Sequence, residues 1–227
     1  MSPLHEAGLT GVFGGTFNPV HHGHLRAAEE VRELLDLASV VFVPSADPPL
    51  KGGGSERMAP AARRLEWVQL ATEGNPRFSV DDLELAREGP SYTVDTLEIF
   101  AARLSPRRPV FVIGCDAFAE LASWREPRRL LTLSHFAVIT RPDAGADPGG
   151  ALADWLPVPF HADFDLASDG QSGQHRQANT WVRRLGISAL DISATDIRRR
   201  LRSGGSVRYL LPEGVRGAVA SSGIYGQ

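Results

Sequence analysis

The chain has 227 residues, of which 42% are apolar and 22% charged, with a net charge of −3; it can bury a sizeable core, and disorder throughout is excluded. No apolar run approaches the roughly 18 residues of a membrane span, and the N-terminal MSPLHEAGLT lacks the apolar stretch of a secretory signal, so a soluble cytoplasmic protein is expected. Cys115, the only cysteine, excludes an intrachain disulfide and a multi-cysteine metal cage, and the slight acidity argues against general binding to nucleic acid or anionic membranes.

In chain order, short Val/Phe-rich runs alternate with amphipathic stretches, the pattern of βαβ units and a parallel sheet. Thr10–Phe13 is a first strand, His22–Leu35 a helix with Leu25, Ala28, Val31, Leu34 and Leu35 on one side, and Ser39–Val43 a second strand stopped by Pro44. A helix over Pro60–Thr72 turns Leu65, Val68 and Leu70 inward; an alternating strand lies within Phe78–Leu85; a helix spans Thr93–Leu104 and a buried strand Pro109–Ile113. Asp116–Trp124 and Arg128–Leu133 are expected as helices separated by Pro127, followed by a strand at His135–Thr140. The polar stretches Pro142–Gly150 and Asp163–Asn179 are expected as surface loops around a short Pro157/Pro159 segment. A last strand at Ile187–Ile192 precedes helices at Ala194–Arg202 and Glu213–Ser221. The expected fold class is α/β, a Rossmann-like doubly wound, mostly parallel sheet with helices on both faces. It forms one domain over residues 1–227, with a C-terminal helical part from about 193.

The segment GVFGGTFNPVHHGHL, Gly11 to Leu25, places glycines, an Asn-Pro turn and three of the seven histidines between the first strand and its helix. Backbone N–H groups at a helix start have no intrahelical acceptor and share the positive end of the helix dipole, so such a junction binds phosphate. Gly14 and Gly15 allow close backbone approach, and His21 and His24, three apart, fall on one side of a turn where both can donate to one phosphate. Neither GxxxxGK[ST] nor GxGxxG is present. A zinc site at His21, His22 and His24 lacks a carboxylate at suitable spacing; a glycine turn with solvated histidines is the plain alternative. A second candidate helix start is ISATDIRRRL, Ile192 to Leu201, with Ser193 and Thr195 at cap positions and arginines on the next turn. Taken alone, an ordinary capped helix with solvated arginines is the commoner explanation, but two such starts in one α/β chain suggest a polyphosphate ligand. Among 24 basic residues the only lysine, Lys51, lies in PPLKGGG, where coding bias and a movable counter-charge for phosphate are both open readings.

GGTFNPVHHGHL resembles the (H/T)xGH signature of the nucleotidyltransferases, and ISATDIR their ISxTxxR signature. PSADPPLK at 44–51, SYTVDTL at 91–97, IGCDAF at 113–118 with Trp124, and RPD at 141–143 are similar to the bacterial nicotinate mononucleotide adenylyltransferase family. Leu50 stands where that family commonly has His, Ala194 where it often has Ser, and Arg125-Glu126-Pro127 follow Trp124 in place of an aromatic-rich stretch.

The resemblance implies adenylyl transfer from ATP to nicotinate mononucleotide, giving nicotinate adenine dinucleotide and pyrophosphate, with Mg2+ arriving on ATP, no protein metal site and no nucleic acid or membrane partner. A homo-oligomer is compatible with it. The implied ATP-binding residues are Gly14, Gly15, Thr16, Phe17, His21, His24, Ser193, Thr195 and Arg198, with His21, His24 and Arg198 catalytic. Lys51, Tyr92, Thr93, Asp116 and Trp124 are implied on the acceptor. Trp124 is equally readable as a half-buried packing residue, and Asp116 as a helix N-cap. Two other functions remain open: adenylyl transfer to nicotinamide mononucleotide or pantetheine phosphate, and nucleotide sensing without turnover.

Overall fold

The structure, a computed structural model, describes residues 8–49, 58–140, 150–188 and 190–226. Its elements in chain order begin with β1 (Thr10–Gly15), α1 (His22–Leu34), β2 (Ser39–Pro44), α2 (Ala61–Thr72), β3 (Phe78–Val80), α3 (Thr93–Arg103), β4 (Val110–Gly114) and α4 (Cys115–Ala119). They continue with α5 (Pro127–Leu133), β5 (His135–Ile139), α6 (Leu152–Trp155), β6 (Phe164–Leu166), β7 (Ser172–His175), β8 (Trp181–Leu185), α7 (Ala194–Arg202) and α8 (Glu213–Ser222).

These strands form one sheet in the order β3-β2-β1-β4-β5-β8-β7-β6. Pairing is parallel from β3 through β8, and antiparallel only across β8-β7-β6. Alternation along each strand divides the core in two. Phe13, Val110 and Val112 face α1, α2, α7 and α8, which contribute Val31, Trp67, Ile197 and Val215. Val12, Phe111 and Ile113 face α3, α4 and α5, which contribute Leu97, Phe118 and Leu130. The α/β expectation of a mostly parallel sheet with helices on both faces therefore holds. No helix of the described residues is long and apolar enough to cross a membrane.

The order of strands creates the place for a ligand. The chain runs outward from β1 through β2 to β3, then returns to β4 on the other side of β1. β1 and β4 pair only at Gly11–Val110 and Val12–Phe111, while both strands continue, to Gly15 and Gly114. Past the last shared pair their connections leave in opposite directions, and a crevice opens at their carboxyl ends.

Several local expectations are corrected. The described residues of the expected Ile187–Ile192 strand form none; β8 ends at Leu185, and the Ser188 N–H donates to the Glu30 carboxylate at 2.6 Å instead of to a neighbouring strand. Ile187 and Ile192 still pack on the core as partly buried residues, which accounts for their apolar pattern. The stretch 163–179 is not loop throughout: β6 and β7 form a hairpin in it, around Asp169 and Gly170, with Gly170 at φ +66°. Its inward positions in β7 are Gly173 and His175, so the strand carries no apolar alternation. The strand expected within 78–85 is present as β3 and stops at Val80, where the Asp81 carboxylate accepts the Leu83 N–H and turns the chain. Pro127 begins α5 rather than dividing two helices. Helix α2 buries Val68 as expected and packs Leu70 partly against the core, but its other buried positions are Arg64, Trp67 and Thr72, and Leu65 is only partly buried.

One buried histidine ties the central sheet to its antiparallel extension. The His135 ring lies 4.5 Å from that of Trp181, stacked at 17°, and its Nδ1 accepts the Trp181 N–H at 3.1 Å. Burial, followed by repulsion from Arg183 and Arg108, pushes its pKa from 6.5 down to about 4. The unfolded chain therefore takes up this proton first, and the stability contribution present above pH 6.5 is lost as pH falls toward 4. A shift of that size corresponds to about 3 kcal/mol. Urea titrations of the wild type and of His135→Asn, which keeps an acceptor near the Nδ1 position, should show the gap between them changing by that amount from pH 7 to pH 4. A constant gap would show that His135 does not carry this pH dependence.

Candidate active site

The loop from Thr16 to His21 closes the crevice on the β1 side. Phe17 is held at φ +47°, a left-handed conformation that costs a non-glycine residue about 1–2 kcal/mol. Its buried ring offsets that cost, sitting edge-on to Phe13 at 5.9 Å and to His24 at 5.1 Å. Gly15 is required beneath it, because a Cβ there would meet the Phe17 ring at 2.9 Å. Asn18 precedes a cis peptide to Pro19. Its side-chain oxygen accepts the Ala59 N–H at 3.0 Å and the Tyr225 hydroxyl proton. Burial pushes the Tyr225 phenol up, so it remains a donor.

His21 is the N-cap of α1, and the His21 and His24 rings stack with centroids 3.7 Å apart. The His21 backbone N–H donates to His24 Nδ1 at 3.2 Å. That bond assigns the tautomer: Nδ1 is the acceptor, and the neutral ring carries its proton on Nε2 as a donor. Not every helix-start donor is available, since the His22 N–H goes to the Leu210 carbonyl at 3.0 Å.

The two signature segments meet. A Cβ on Gly23 would lie 3.0 Å from the His21 ring and 3.4 Å from the Ile192 carbonyl, so a glycine at this position lets the start of α1 press against the segment leading into α7. Ser193 is the N-cap of α7 and accepts the Asp196 N–H at 3.1 Å. Thr195 is not a cap; it lies inside the helix and its hydroxyl accepts from Arg198 Nη2 at 3.0 Å. The buried Arg198 also donates through Nη1 to the Asn18 carbonyl at 2.8 Å. The guanidinium expected on the phosphates thus also braces the loop that would hold them.

On the β4 side, Asp116 is exposed in the first turn of α4, and Gly114, not Asp116, occupies the N-cap. Tyr92 is the N-cap of α3 and Thr93 its first residue. The Arg125 guanidinium lies 4.6 Å from the Tyr92 ring centre, a cation–π contact. Trp124 is half-buried, 6.5 Å edge-on from Phe111, and its indole N–H is buried without a hydrogen-bond partner among the described residues. Lys51 and Leu50, and the RPD segment, lie outside the described residues.

Sequence reasoning missed four supporting residues. Asn18 and Tyr225 anchor the loop, as above. Buried Glu84 accepts the Thr96 hydroxyl proton at 2.6 Å; burial pushes its carboxyl above the usual carboxylate range, against the hydroxyls of Thr96 and Ser91 and the Arg87 charge, which favour ionisation. Arg64 is fully buried. Its signal was present: Arg64, Trp67 and Val68 share one helical face. Among the described residues, no three His, Cys, Asp or Glu side chains form a group that could hold a metal ion.

Residues 12–200 match the model of the cytidylyltransferase-like family. A probable nicotinate-nucleotide adenylyltransferase of Marinobacter nauticus is 39% identical over 95% of both chains, and one of Geobacter metallireducens is 40% identical over 95% of this chain and 97% of that one. The chain belongs to the nicotinate-nucleotide adenylyltransferase family. Its fold is that of the Plasmodium falciparum nicotinic acid mononucleotide adenylyltransferase, solved with NaAD and with APC. Those structures match at TM-scores of 0.71 and 0.68, each 15% identical over 96% of this chain and 97% of that one.

Asn18→Leu should cost this family member about 2–4 kcal/mol, because the Ala59 N–H and the Tyr225 hydroxyl each lose a buried acceptor. Urea denaturation measures it. A loss under 0.5 kcal/mol, the ordinary range for surface substitutions, would show that the anchor is not needed.

Proposed function

We infer that the protein transfers the AMP part of ATP to nicotinate mononucleotide, releasing pyrophosphate and forming nicotinate adenine dinucleotide, a step in NAD biosynthesis. The observation that carries this reading is the meeting of the two signature segments, where Gly23, beside His21, lies against the Ile192 carbonyl, at the carboxyl end of β1 in a chain whose relatives, matched over nearly their whole length, are called adenylyltransferases. A cytoplasmic location belongs to the same reading.

The acceptor's phosphate oxygen attacks the α-phosphorus of ATP. A P–O bond forms as the bond to pyrophosphate breaks, and the leaving pyrophosphate takes the electron pair. No protein nucleophile is required; catalysis consists of alignment and stabilisation of charge. His24 suits this work because its Nε2–H is set by the Nδ1 bond before any ligand arrives. His21 stacks on it and keeps the pair in place. Gly14, Gly15, Thr16 and Phe17 form the close-approach loop, and Ser193, Thr195 and Arg198 serve the β/γ end. A divalent cation accompanies ATP in such chemistry, and we assign Mg2+, held by phosphate and water. Lys51 and Asp116 complete the acceptor side as counter-charge and ribose contact.

His24→Ala should lower kcat by about 100- to 1,000-fold, the cost of one donor matched to developing charge, with a much smaller change in ATP binding. A folded variant with near-wild-type kcat removes His24 from the mechanism.

Acceptor choice follows from what lies around Tyr92. Thr93 opens α3 with helix-start N–H donors, Trp124 offers a buried indole N–H, and Arg125 adds a cation. All are donors, which suits a carboxylate and leaves an amide NH2 facing other donors. Nicotinate mononucleotide should therefore exceed nicotinamide mononucleotide in kcat/KM by about 100-fold or more. Pyrophosphate release with saturating MgATP and each acceptor tests this. Equal values overturn the carboxylate-reading pocket, and no release with either overturns adenylyl transfer.

A further inference from the structure

Arg64 is the most deeply buried cation among the described residues, and it bonds to backbone only. Its Nε donates to the Ala59 carbonyl at 2.9 Å, Nη1 to the Thr16 carbonyl at 2.7 Å and Nη2 to the Ala46 carbonyl at 3.1 Å. These carbonyls come from the β1–α1 loop, at Thr16, and from the two ends of the β2–α2 connection, at Ala46 and Ala59. Burial is costly for the guanidinium and pulls its pKa down. A planar fork can satisfy three acceptors in fixed directions, whereas an ammonium is a compact point charge.

Two of these bonds, to Thr16 and to Ala46, constrain peptides next to the two assigned substrate regions. In a trans peptide the carbonyl and the following N–H point oppositely, so holding the Thr16 carbonyl on Arg64 turns the Phe17 N–H away from it. Ala46 continues the connection toward the acceptor side. The Ala46 and Asp47 N–H groups donate to the Ser91 hydroxyl oxygen at 2.9 and 3.1 Å, and the Ser91 N–H donates to the Asp47 carbonyl at 2.8 Å. The Ser91 hydroxyl in turn bonds to Glu84. Ser91 immediately precedes Tyr92 and Thr93, which open α3. Two side chains therefore join the loop assigned to ATP with the helix start assigned to the acceptor.

We propose that Arg64 is a positioning residue that couples the two substrate subsites, with Ser91 as the second link, so that ordering the β1–α1 loop by ATP also orders the start of α3 for the acceptor nucleotide. The inference rests on the adenylyl-transfer reading above. Coupling of this kind appears as one ligand tightening the other, by about 5-fold or more.

The test measures nicotinate mononucleotide affinity with and without a non-hydrolysable ATP analogue and Mg2+, alongside kcat and both KM values. The wild type should bind the acceptor about 5-fold more tightly in the presence of the analogue. In Arg64→Lys, which keeps the charge but loses the fork, that ratio should fall toward one and kcat should fall about 10-fold or more. Ser91→Ala should also abolish the ratio, and in the double variant it should fall no further. A merely structural Arg64 would lower stability and leave the ratio intact. A wild type that turns over but binds the two nucleotides independently overturns the proposal, as does a folded Arg64→Lys with the wild-type ratio. Should Arg64→Lys not fold, Ser91→Ala decides alone, and an unchanged ratio there overturns the coupling. Absence of turnover in the wild type instead overturns the reading of the reaction.

Discussion

The site depends on two buried guanidinium groups that draw backbone carbonyls of the β1–α1 loop inward, Arg64 on Thr16 and Arg198 on Asn18. On the adenylyl-transfer reading, this loop has to show its N–H groups to phosphate and hide its carbonyls, because an exposed carbonyl oxygen repels an anion. Charged donors make the hidden bonds strong, roughly twice a neutral pair. They also add fixed positive charge beneath the crevice, in surroundings that screen it poorly. Phe17 can then stay in its left-handed conformation, its ring filling the space that Gly15 leaves.

The sheet supplies the rest of the geometry. β1 and β4 diverge after Val12 and Phe111, so the α1 start and the α4 start stand on either side of one opening, with α3 reaching it from beyond. Helix starts are suitable tools for joining two anions: they are donors, they are rigid, and they need no charge change during the reaction. The His24 imidazole extends this logic to a side chain, since a backbone N–H fixes which of its nitrogens carries the proton.

Strands β1, β2, β4 and β5 were legible in the sequence, because they are largely apolar runs and the helices between them carry a 3.6-residue period, whereas β8, parallel to β5 at Trp181–Leu185, was expected later, at Ile187–Ile192. The two signature segments were legible from their residues, glycines and histidines before α1 and a capping serine before α7, and the structure brings them together at Gly23 and Ile192. What escaped notice shared one property, that tertiary partners replace the pattern. β6 and β7 lean on β8 and need no apolar alternation of their own, while Ile187 and Ile192 are apolar without pairing into the sheet. Arg64 reads as a polar residue on a helix and is in truth core. Its three acceptors are carbonyls, which no sequence displays, and they lie up to 48 positions away. Thr195 resembles a cap from its type, but Ser193 takes that place and leaves Thr195 to Arg198.

The central claim is that the acceptor's own phosphate attacks the α-phosphorus with no covalent protein intermediate. Running the reaction with an ATP made stereochemically defined at its α-phosphorus by sulfur or heavy oxygen, and reading the configuration in the dinucleotide product, tests it most directly. The account predicts inversion at that phosphorus, the mark of one in-line displacement. Retention, or AMP found attached to the protein during turnover, would contradict it.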